Sequence, residues 1–452
     1  MGVGVGVRTV KGIVEWRLCL GCGACAYICP DQKIDLVDVI EHGIRPAVAD
    51  ENCNDCRLCL QVCPAFQNDH RVIRRRAGAE PILVKEFGPV LEVWEGYARD
   101  NEVRYRGASG GAITALALYC LEREQVHGVL HLRGDPSDSV RNRTHLSENR
   151  FELLAGTGSR YAPGSVCDGL EKVEAAPSPC VFIGQPCEVT AMRKASELRP
   201  ELRDKVSLAM SFFCAGSPAT KGTLEVLRSQ GIDPTEVEEV RYRGLGWPGT
   251  FAVRRQNESS FRQLMTYHDS WAALQRFRPY GVHLFPDIAG EDADICCADP
   301  WHRSGEEGGG YSMIIVRTER GRQVLHSALE SGYLVAERVD PSQLLKAQKG
   351  FVLYRGVIWG RILMFRLLGL PVPQLKGFGG AVAWWRLPLA TKLRSTVGTL
   401  RRILTRGYYR PLRFDADSIL SRPREGPKVD LQTRVSPCER PTISISEVKG
   451  KS

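Results

Sequence analysis

The sequence predicts a mixed α/β main domain, preceded by a small cysteine-rich α+β domain and followed by a basic helical C-terminal appendage. Eight of the 16 cysteines lie within the first 65 residues. Short apolar runs alternate with helical patterns from residue 92 to about residue 340, which is typical of mixed α/β domains. Residues 351–452 carry 19 basic and 6 acidic side chains, a net charge of +13. Because the whole chain has a net charge of +9, the other 350 residues have a net charge of −4.

These changes divide the chain into domains at residues 1–75, 90–340 and 345–452. A length of 452 residues suits two or three domains. With 43% apolar and 25% charged residues, the composition is that of a soluble globular protein, which excludes a collagen-like or wholly disordered chain. The polar, proline-containing last 30 residues are predicted to be disordered.

The start of the chain predicts a cytoplasmic protein. Residues 1–14 lack the long apolar segment of a secretory signal, so the cysteines are expected to bind metal or perform redox chemistry. No run of about 18 apolar residues occurs, because Arg355, Arg361 and Arg366 interrupt the most apolar stretch, 351–372. Peripheral membrane contact through the basic C-terminal segment stays open, as do an acidic partner and a merely solvated surface.

Two identical cysteine runs predict a ferredoxin-like iron–sulfur domain. Each has the spacing C-x2-C-x2-C-x3-C-P of bacterial two-cluster ferredoxins, in which the fourth cysteine of each run ligates the other cluster. One 4Fe-4S cluster would take Cys19, Cys22, Cys25 and Cys63, and the second Cys53, Cys56, Cys59 and Cys29. Zinc also binds C-x2-C pairs. The two complete runs with both prolines are more specific for iron–sulfur.

Apolar periodicity predicts the elements of the main domain. Residues Ile113, Leu116, Ala117, Cys120 and Leu121 fall on one side of a helix over 110–123. Further helices are predicted from about 188, over 221–229 and around 322–329. Strands are predicted over 128–132, 180–183, 206–213 and 311–316. This alternation supports the mixed α/β class.

Short motifs of the main domain occur in the order of a known family. They are Ala108-Ser109-Gly110-Gly111, Gly158-Ser159-Arg160-Tyr161, Gly184-Gln185-Pro186-Cys187-Glu188, Phe213-Cys214, Ala293-Asp294-Ile295, Asp299-Pro300-Trp301 and Gly309-Gly310-Tyr311-Ser312. With these motifs, residues 15 to about 335 resemble the coenzyme F-420 hydrogenase/dehydrogenase beta-subunit family.

The resemblance implies an iron–sulfur flavoprotein oxidoreductase that contains FAD. It would pass electrons between the 4Fe-4S clusters and an organic hydride acceptor, coenzyme F-420 or another conjugated molecule. A ferredoxin-type redox donor or a partner subunit would exchange electrons with the clusters. Two alternatives stay open, a non-catalytic electron-relay subunit and an accessory protein of surface-polysaccharide biosynthesis. No nucleic-acid partner is expected, because the basic charge lies outside the folded body.

The motifs supply the expected flavin-binding residues, whereas no catalytic residue is assigned. A glycine pair at a helix start suits phosphate binding, although it could serve close packing alone. An arginine and an aromatic ring suit a phosphate and a flavin ring, although a surface turn would have the same sequence. His268 and His302 are candidate proton donors, each with a structural alternative. The expected flavin-binding residues are Ser109, Gly110, Gly111, Ser159, Arg160, Tyr161, Asp299 and Trp301.

A third cluster, present in many members of the resembled family, is predicted to be absent. Cys187 and Cys214 fill two of its four ligand positions, but Val282 and Phe285 stand at the other two. Neither side chain can ligate iron. Cys296 and Cys297 are nearby, yet their adjacency is unfavourable for one cluster. Cys187 and Cys214 are therefore expected to be ordinary buried thiols. The same is expected of Cys120, Cys167, Cys180 and Cys438.

Overall fold

The computed structural model describes residues 7–48, 56–303 and 309–412. Cys53, Cys438 and the last 30 residues lie outside the described residues, so the predictions made for them stay predictions. The described chain up to residue 412 belongs to one compact unit. None of the described helices has both the length and the apolar character needed to cross a membrane.

The N-terminal module consists of short helices and one hairpin. Its helices are α1 (Val10–Glu15), α2 (Ala24–Ile28) and α3 (Leu58–Gln61), and its strands are β1 (Ile34–Val39), β2 (Gly43–Val48) and β3 (Gln67–Asp69). Strands β1 and β2 pair antiparallel from Ile34 opposite Val48 to Val39 opposite Gly43. These elements hold the cysteine-bearing loops between them.

The main domain alternates strands and helices as the apolar pattern predicts. Its strands are β4 (Glu92–Ala98), β5 (Val129–Asp135), β6 (Asp138–Ser147), β7 (Cys180–Gly184), β8 (Val206–Phe212), β9 (Val237–Arg241), β10 (Thr250–Arg255), β11 (Arg262–Thr266), β12 (Ile295–Ala298), β13 (Ser312–Val316) and β14 (Leu334–Arg338). Its helices are α4 (Pro81–Phe87), α5 (Asn101–Arg106), α6 (Ala112–Glu122), α7 (Arg150–Ala155), α8 (Leu170–Glu174), α9 (Pro186–Leu198), α10 (Pro200–Lys205), α11 (Thr220–Ser229), α12 (Tyr267–Leu274), α13 (Glu319–Glu330) and α14 (Ser342–Ala347).

Eight strands form one mixed sheet in the order β14-β4-β13-β12-β8-β7-β5-β6, whereas β9, β10 and β11 form a separate antiparallel sheet. Strands β5, β7, β8 and β12 are parallel. Their last residues, Asp135, Gly184, Phe212 and Ala298, therefore lie at one edge, called here the carboxyl edge. Open α/β sheets bind ligands at such an edge.

The predicted elements are confirmed, with ends shifted by at most a few residues, because their apolar residues form the core. Leu116 and Cys120 of α6 pack with Val324 and Leu325 of α13 against one face of the sheet. The other face is covered by α8 and α9 in a second cluster that also takes in Ile28 of α2. All five residues of β13 are buried, as expected for a central strand.

The C-terminal segment is helical, but it packs as part of the body rather than as the predicted appendage. Its elements are α15 (Tyr354–Leu367), β15 (Gln374–Lys376), α16 (Gly380–Trp385) and α17 (Leu389–Thr405). Ile362 of α15 and Ile403 of α17 join a core with Ile13 and Leu60 of the N-terminal module. Strand β15 also pairs in parallel with β3. Burial of these apolar residues holds the segment against the cysteine-rich module.

Candidate functional site

Four cysteines line one opening in the N-terminal module. Cys19 follows α1, Cys22 precedes α2, Cys25 lies within α2, and Cys63 follows α3. The side chains of all four cysteines line this opening. Cys19, Cys22 and Cys25 are all buried. The three leading cysteines of the first run therefore lie together with the last cysteine of the second run.

Burial keeps the thiols of this opening protonated unless a metal centre is bound. Burial raises the pKa of Cys22 and Cys25 well above the ordinary thiol value, and the neighbouring thiols raise it further. Burial and Cys19 likewise raise the pKa of Cys63 to about 12. Four thiolates would repel one another here unless a metal centre neutralised them, and metal coordination deprotonates thiols outright.

The spacing of the sulfur atoms favours a cluster over a single zinc ion. In the described part of the chain, no three cysteine sulfur atoms lie within 4.8 Å of one another. Tetrahedral ligands on one zinc ion, at the usual bond length, would be only about 3.8 Å apart. Four cysteine donors that are not gathered this closely fit an iron–sulfur cluster better than one zinc ion.

The first cysteine loop packs directly on the main domain. The Cys167 amide donates to the Cys22 carbonyl over 3.2 Å, and the Ser165 hydroxyl donates to the Gly21 carbonyl over 2.6 Å. Gly23 has φ +85°, and a Cβ there would lie 3.0 Å from the Asp168 amide nitrogen. Glycine is thus required both by the left-handed backbone and by the close approach.

Cys29, Cys56 and Cys59 are the described members of the second predicted ligand set. Cys29 follows α2 and is buried, and it shares an apolar cluster with Cys59 of α3. Cys56 is exposed. The last cysteine of the first run thus lies beside a cysteine of the second run, as the crossed arrangement requires. Cys53, the fourth predicted ligand, lies outside the described residues.

Two cationic side chains lie close to the four cysteines of the opening. Arg45 of β2 is 6% exposed, and its Nη1 atom would be 3.6 Å from a Cβ at Gly21, between Cys19 and Cys22. Lys194 of α9 donates from Nζ to the Cys63 carbonyl over 3.3 Å. Positive charge therefore faces this site from both the N-terminal module and the main domain.

The structure brings together three of the four positions of the predicted missing cluster. Cys187 begins α9 and Cys214 follows β8, where the Cys214 Sγ atom donates to Gln185 Oε1 over 3.4 Å. A Cβ at Gly216 would lie 2.5 Å from the Val282 Cβ, which places Val282 beside the Cys214 loop. Phe285, at the fourth position, is buried.

The other described cysteines lie in apolar surroundings. Cys297 belongs to the core on one face of the main sheet, whereas Cys296 belongs to a cluster on the opposite face. Two adjacent strand residues that point to opposite faces cannot share one cluster. Cys167 is buried, and its Sγ atom donates to the Glu188 carbonyl over 3.3 Å.

An aromatic group surrounds a buried ion pair where β12 ends. Asp299 accepts from Arg243 Nη1 over 2.9 Å and from Nη2 over 2.7 Å, and from Trp247 Nε1 over 3.1 Å. Trp301 stacks on Tyr267 with ring centroids 5.5 Å apart and planes inclined by 12°. The Arg243 guanidinium carbon lies 4.4 Å from the Tyr267 ring centroid. These five residues are called here the aromatic site.

Three predicted cofactor residues gather at the aromatic site. Asp299 and Trp301 belong to it, and the Tyr161 ring lies 6.4 Å from Tyr267. The Ser109 backbone also lies near this site, with Gly310 between it and Trp247. A Cβ at Gly310 would lie 2.6 Å from the Ser109 carbonyl oxygen and 2.9 Å from the Trp247 Cβ. The proximity of these residues, which lie far apart in sequence, is a property of the fold.

The geometry of Gly110 and Gly111 includes a packing role. A Cβ at Gly110 would lie 2.7 Å from the Gly96 carbonyl oxygen of β4, so glycine is required where this loop meets the sheet. The Gly110 amide also donates to the Ser312 hydroxyl over 2.9 Å. Gly111 is the N-cap of α6, with φ +74°.

Arg160 holds two strands together. Its neighbour Ser159 stays a predicted flavin-binding residue. The Arg160 guanidinium donates to the carbonyls of Val240, Ser139 and Arg141, over 3.1 to 3.3 Å, and to the Asn142 side chain. These contacts link β6 to β9. They use the guanidinium N–H groups of Arg160 that would otherwise bind a phosphate.

The candidate proton donors differ in their surroundings. The His268 ring lies 6.1 Å from the Trp301 ring, at the margin of the aromatic site. His302 Nε2 lies 3.4 Å from Glu95 Oε2. Arg243, Trp247 and Tyr267 were not predicted from the sequence. The available signal was the glycine-rich segment 244–249, which carries Trp247.

The four-cysteine opening, docked on an eight-stranded α/β sheet, defines an iron–sulfur protein with an attached α/β domain. Comparison with known proteins identifies both parts. Residues 13–68 match the family model described as a 4Fe-4S dicluster domain. Residues 93–171 and 179–342 match the N-terminal and C-terminal parts of the coenzyme F-420 hydrogenase/dehydrogenase beta subunit. The chain belongs to this family of oxidoreductase subunits, as its motifs predicted.

Curated relatives show the same similarity at low identity. The chain is 24% identical over 356 residues to a coenzyme F-420-dependent sulfite reductase of Methanocaldococcus jannaschii, covering 75% of this chain and 50% of the relative. It is 24% identical to a coenzyme F-420 hydrogenase subunit beta of Methanococcus voltae, covering 64% of this chain and 99% of the relative. The chain thus spans only half the length of the sulfite reductase.

A solved structure shares the fold. It belongs to the F-420-reducing [NiFe] hydrogenase complex of Methanosarcina barkeri and matches with a TM-score of 0.51 and 19% identity. The match covers 65% of this chain and 99% of that chain. This supports the α/β fold.

Proposed function

We propose that this chain is a cytoplasmic iron–sulfur flavoprotein subunit that exchanges electrons with an organic hydride acceptor of the coenzyme F-420 type. The observation that carries the proposal is the buried grouping of Cys63 with Cys19, Cys22 and Cys25 against the α/β domain. One-electron clusters need a two-electron cofactor, such as a flavin, to take part in hydride chemistry. The acceptor is suggested by the family and by the relatives' names, whereas the flavin is suggested by the family resemblance of the motifs alone.

In this proposal two 4Fe-4S clusters are held by cysteines alone. The first is ligated by Cys19, Cys22, Cys25 and Cys63, and the second by Cys29, Cys53, Cys56 and Cys59. Burial of the first set excludes water and lowers the local dielectric, so hydrogen bonds and nearby charges tune the cluster strongly. Contact of the first cysteine loop with residues 165–168 supports electron exchange with the main domain.

The aromatic site is the proposed position of the flavin. Tyr267 and Trp301 offer ring faces, while Trp247 and Ser109 border the same position. The buried pair of Arg243 and Asp299 fixes these rings, because Asp299 binds Trp247 and Arg243 lies over Tyr267. Gly110 and Gly111 would bring the start of α6 toward a phosphate, and Ser159 and Tyr161 would bind beside it. Arg160 would act by holding β6 and β9 in position.

A specific observation favours the electron-relay alternative. Val282 and Phe285 leave only Cys187 and Cys214 at the positions where many members of the resembled family carry another cluster. Without it, electrons pass directly from a ferredoxin-type cluster to the flavin, or to a partner subunit. A ferredoxin-type donor or partner subunit is therefore part of both versions.

Anaerobic purification with metal, sulfide and flavin analysis tests the proposal. We expect about eight iron atoms per chain, for two 4Fe-4S clusters, together with bound flavin. Cys63→Ser should lose about half of the iron, whereas Cys180→Ser, which alters a buried thiol of β7, should lose none. A Trp301→Ala variant should keep its iron and lose flavin.

Each outcome separates the alternatives. Full iron without flavin would reject the flavoprotein and leave the relay subunit. A colourless protein containing zinc would reject both. If Cys63→Ser keeps all of its iron, the crossed arrangement of ligands is wrong.

A further inference from the structure

Helix α17 carries an apolar stripe on its outer side. Residues Leu389, Leu393, Val397, Leu400 and Leu404 fall within an arc of about 80° on a helix of 3.6 residues per turn. Leu389 is 73% exposed, Leu393 52%, Val397 57% and Leu404 59%. These five residues are called here the α17 stripe. Contiguous exposed apolar surface of this kind marks an interaction site.

The opposite face of α17 attaches the helix to the body. Its buried residues are Ser395, Thr399 and Ile403. Ser395 accepts a hydrogen bond from Trp384 Nε1 over 3.1 Å, and Ile403 joins the core with the N-terminal module. A surface helix of a globular protein normally turns its apolar stripe inward. In α17 most apolar residues point outward, so the stripe is not explained by packing within the fold.

Basic residues surround the stripe. Residues 341–412 contain 13 lysines and arginines and no acidic residue. Arg394 and Arg401 lie beside the stripe on the helix, about 40–60° beyond Val397. At the start of the helix, Lys392 Nζ lies 5.0 Å from the ring centroid of Trp385, which is 74% exposed. Exposed tryptophan with flanking basic residues is characteristic of helices that lie in a membrane interface.

We propose that α17 docks the protein on an anionic lipid surface, with the α17 stripe entering the headgroup region and the basic residues contacting lipid phosphates. This goes beyond the proposed redox function and does not depend on it. A flat bilayer contacts the whole stripe, about 22 Å long, and provides apolar depth and negative charge together. A protein partner would need an acidic groove with an apolar floor of the same length, so the lipid surface fits the observations better.

Vesicle co-sedimentation of the full-length, anaerobically purified protein tests the proposal. The probes are vesicles of phosphatidylcholine alone and vesicles with 30 mol% phosphatidylglycerol. We expect binding to the anionic vesicles, weakening as salt rises. Leu393→Glu/Val397→Glu should weaken it by at least about tenfold. Arg394→Gln/Arg401→Gln should weaken it about fivefold for each charge removed.

The matched control is Phe151→Glu, which replaces a residue of α7 that is 84% exposed. It should bind anionic vesicles like the original protein. Unchanged iron content and circular dichroism show that each variant is folded. Absence of binding to anionic vesicles, or equal loss with Phe151→Glu, overturns the proposal.

Three other occupants of the stripe would give results that reject the lipid surface. A self-associating stripe would produce an oligomer that Leu393→Glu dissociates, without vesicle binding. A partner protein, or the segment after residue 412, would protect the α17 amides from hydrogen exchange while vesicles leave that protection unchanged. Vesicle-dependent protection of residues 389–404 supports the proposal.

Discussion

Arg243, which is buried, and Asp299, which is half-buried, form a two-pronged ion pair. It joins the residue before the glycine-rich segment 244–249 to the residue after β12. The two N–O distances are 2.9 and 2.7 Å, and the side chains are 3% and 17% exposed. Burial lowers the pKa of Arg243, but the Asp299 carboxylate outweighs this effect, so the pKa is raised overall. The guanidinium is therefore held charged inside the aromatic site.

Asp299→Asn should destabilise the protein strongly, because it leaves the Arg243 charge buried without a counter-ion. We expect a decrease of about 3–5 kcal/mol in the free energy of unfolding, measured by urea denaturation. The control is Asp204→Asn, in an exposed pair with Arg203, which should change stability little. Similar effects of the two substitutions would contradict the structural role of the buried pair.

His70 lies between two carboxylates and should make stability depend on pH. Its Nδ1 is 3.2 Å from Glu291 and its Nε2 is 3.3 Å from Asp292. Burial lowers the pKa of His70, but the two carboxylates outweigh burial and raise it well above the ordinary value. The stabilisation that charged His70 gives to the folded protein is fully present below the pKa of histidine in the unfolded chain, about 6.5. It is lost as the pH rises through the pKa of His70 in the folded protein.

The stability advantage of the original protein over His70→Gln should therefore shrink above about pH 6.5, by up to about 1.4 kcal/mol per pH unit. Urea denaturation at pH 6 and pH 9 measures it. Phe378→Leu is the control, because that ring lies 4.4 Å from His70 but carries no charge. Its stability difference should stay constant with pH. A pH-independent effect of His70→Gln would mean that the histidine is not charged in the folded protein.

Arg45 should raise the reduction potential of the cluster proposed at Cys19, Cys22, Cys25 and Cys63. A buried positive charge favours the more negative, reduced state of a cluster. Arg45→Met should therefore shift its midpoint to a lower potential in a titration followed by electron paramagnetic resonance. Lys194→Met should shift it in the same direction. Arg199→Met, which changes an ion pair with Glu174, is the control and should leave the potential unchanged.

Restoring two cysteines should create a third cluster site. Val282→Cys/Phe285→Cys would complete the set with Cys187 and Cys214. We expect the iron content to rise from about eight to about twelve per chain after reconstitution. Val282→Ser/Phe285→Ser is the matched control without thiols and should stay at about eight. Twelve irons in the unaltered protein would instead show that the absence predicted from Val282 and Phe285 is wrong.

The iron–sulfur module and the main elements were predictable because their signals are local. The spacing of the two runs already associated Cys63 with Cys19, and the structure brings these residues to one opening. Helix α6 and strand β13 followed from the periodicity of their own residues. The family could be inferred from short motifs in a fixed order. Each of these inferences needs only the neighbours of a residue in the chain.

The aromatic site was only partly predictable. Asp299 and Trp301 were expected to line it, but Arg243 and Tyr267 come from other elements that only the fold brings to β12. For Arg160 the prediction differed from the structure. The motif around it suits phosphate binding, but its guanidinium donates hydrogen bonds to the carbonyls of neighbouring strands. Side-chain partners more than fifty residues apart depend on strand order, which the chain does not state locally.

The sequence by itself determined the cysteine chemistry, the α/β class and the basic character of the C-terminal segment, because spacing, periodicity and charge are properties of the chain. Only the tertiary structure decided that Ile403 is buried while Leu393 is exposed, and that Asp299 neutralises Arg243. The physical reason is that burial and ion pairing depend on which surfaces meet after folding, and those surfaces are assembled from distant parts of the sequence.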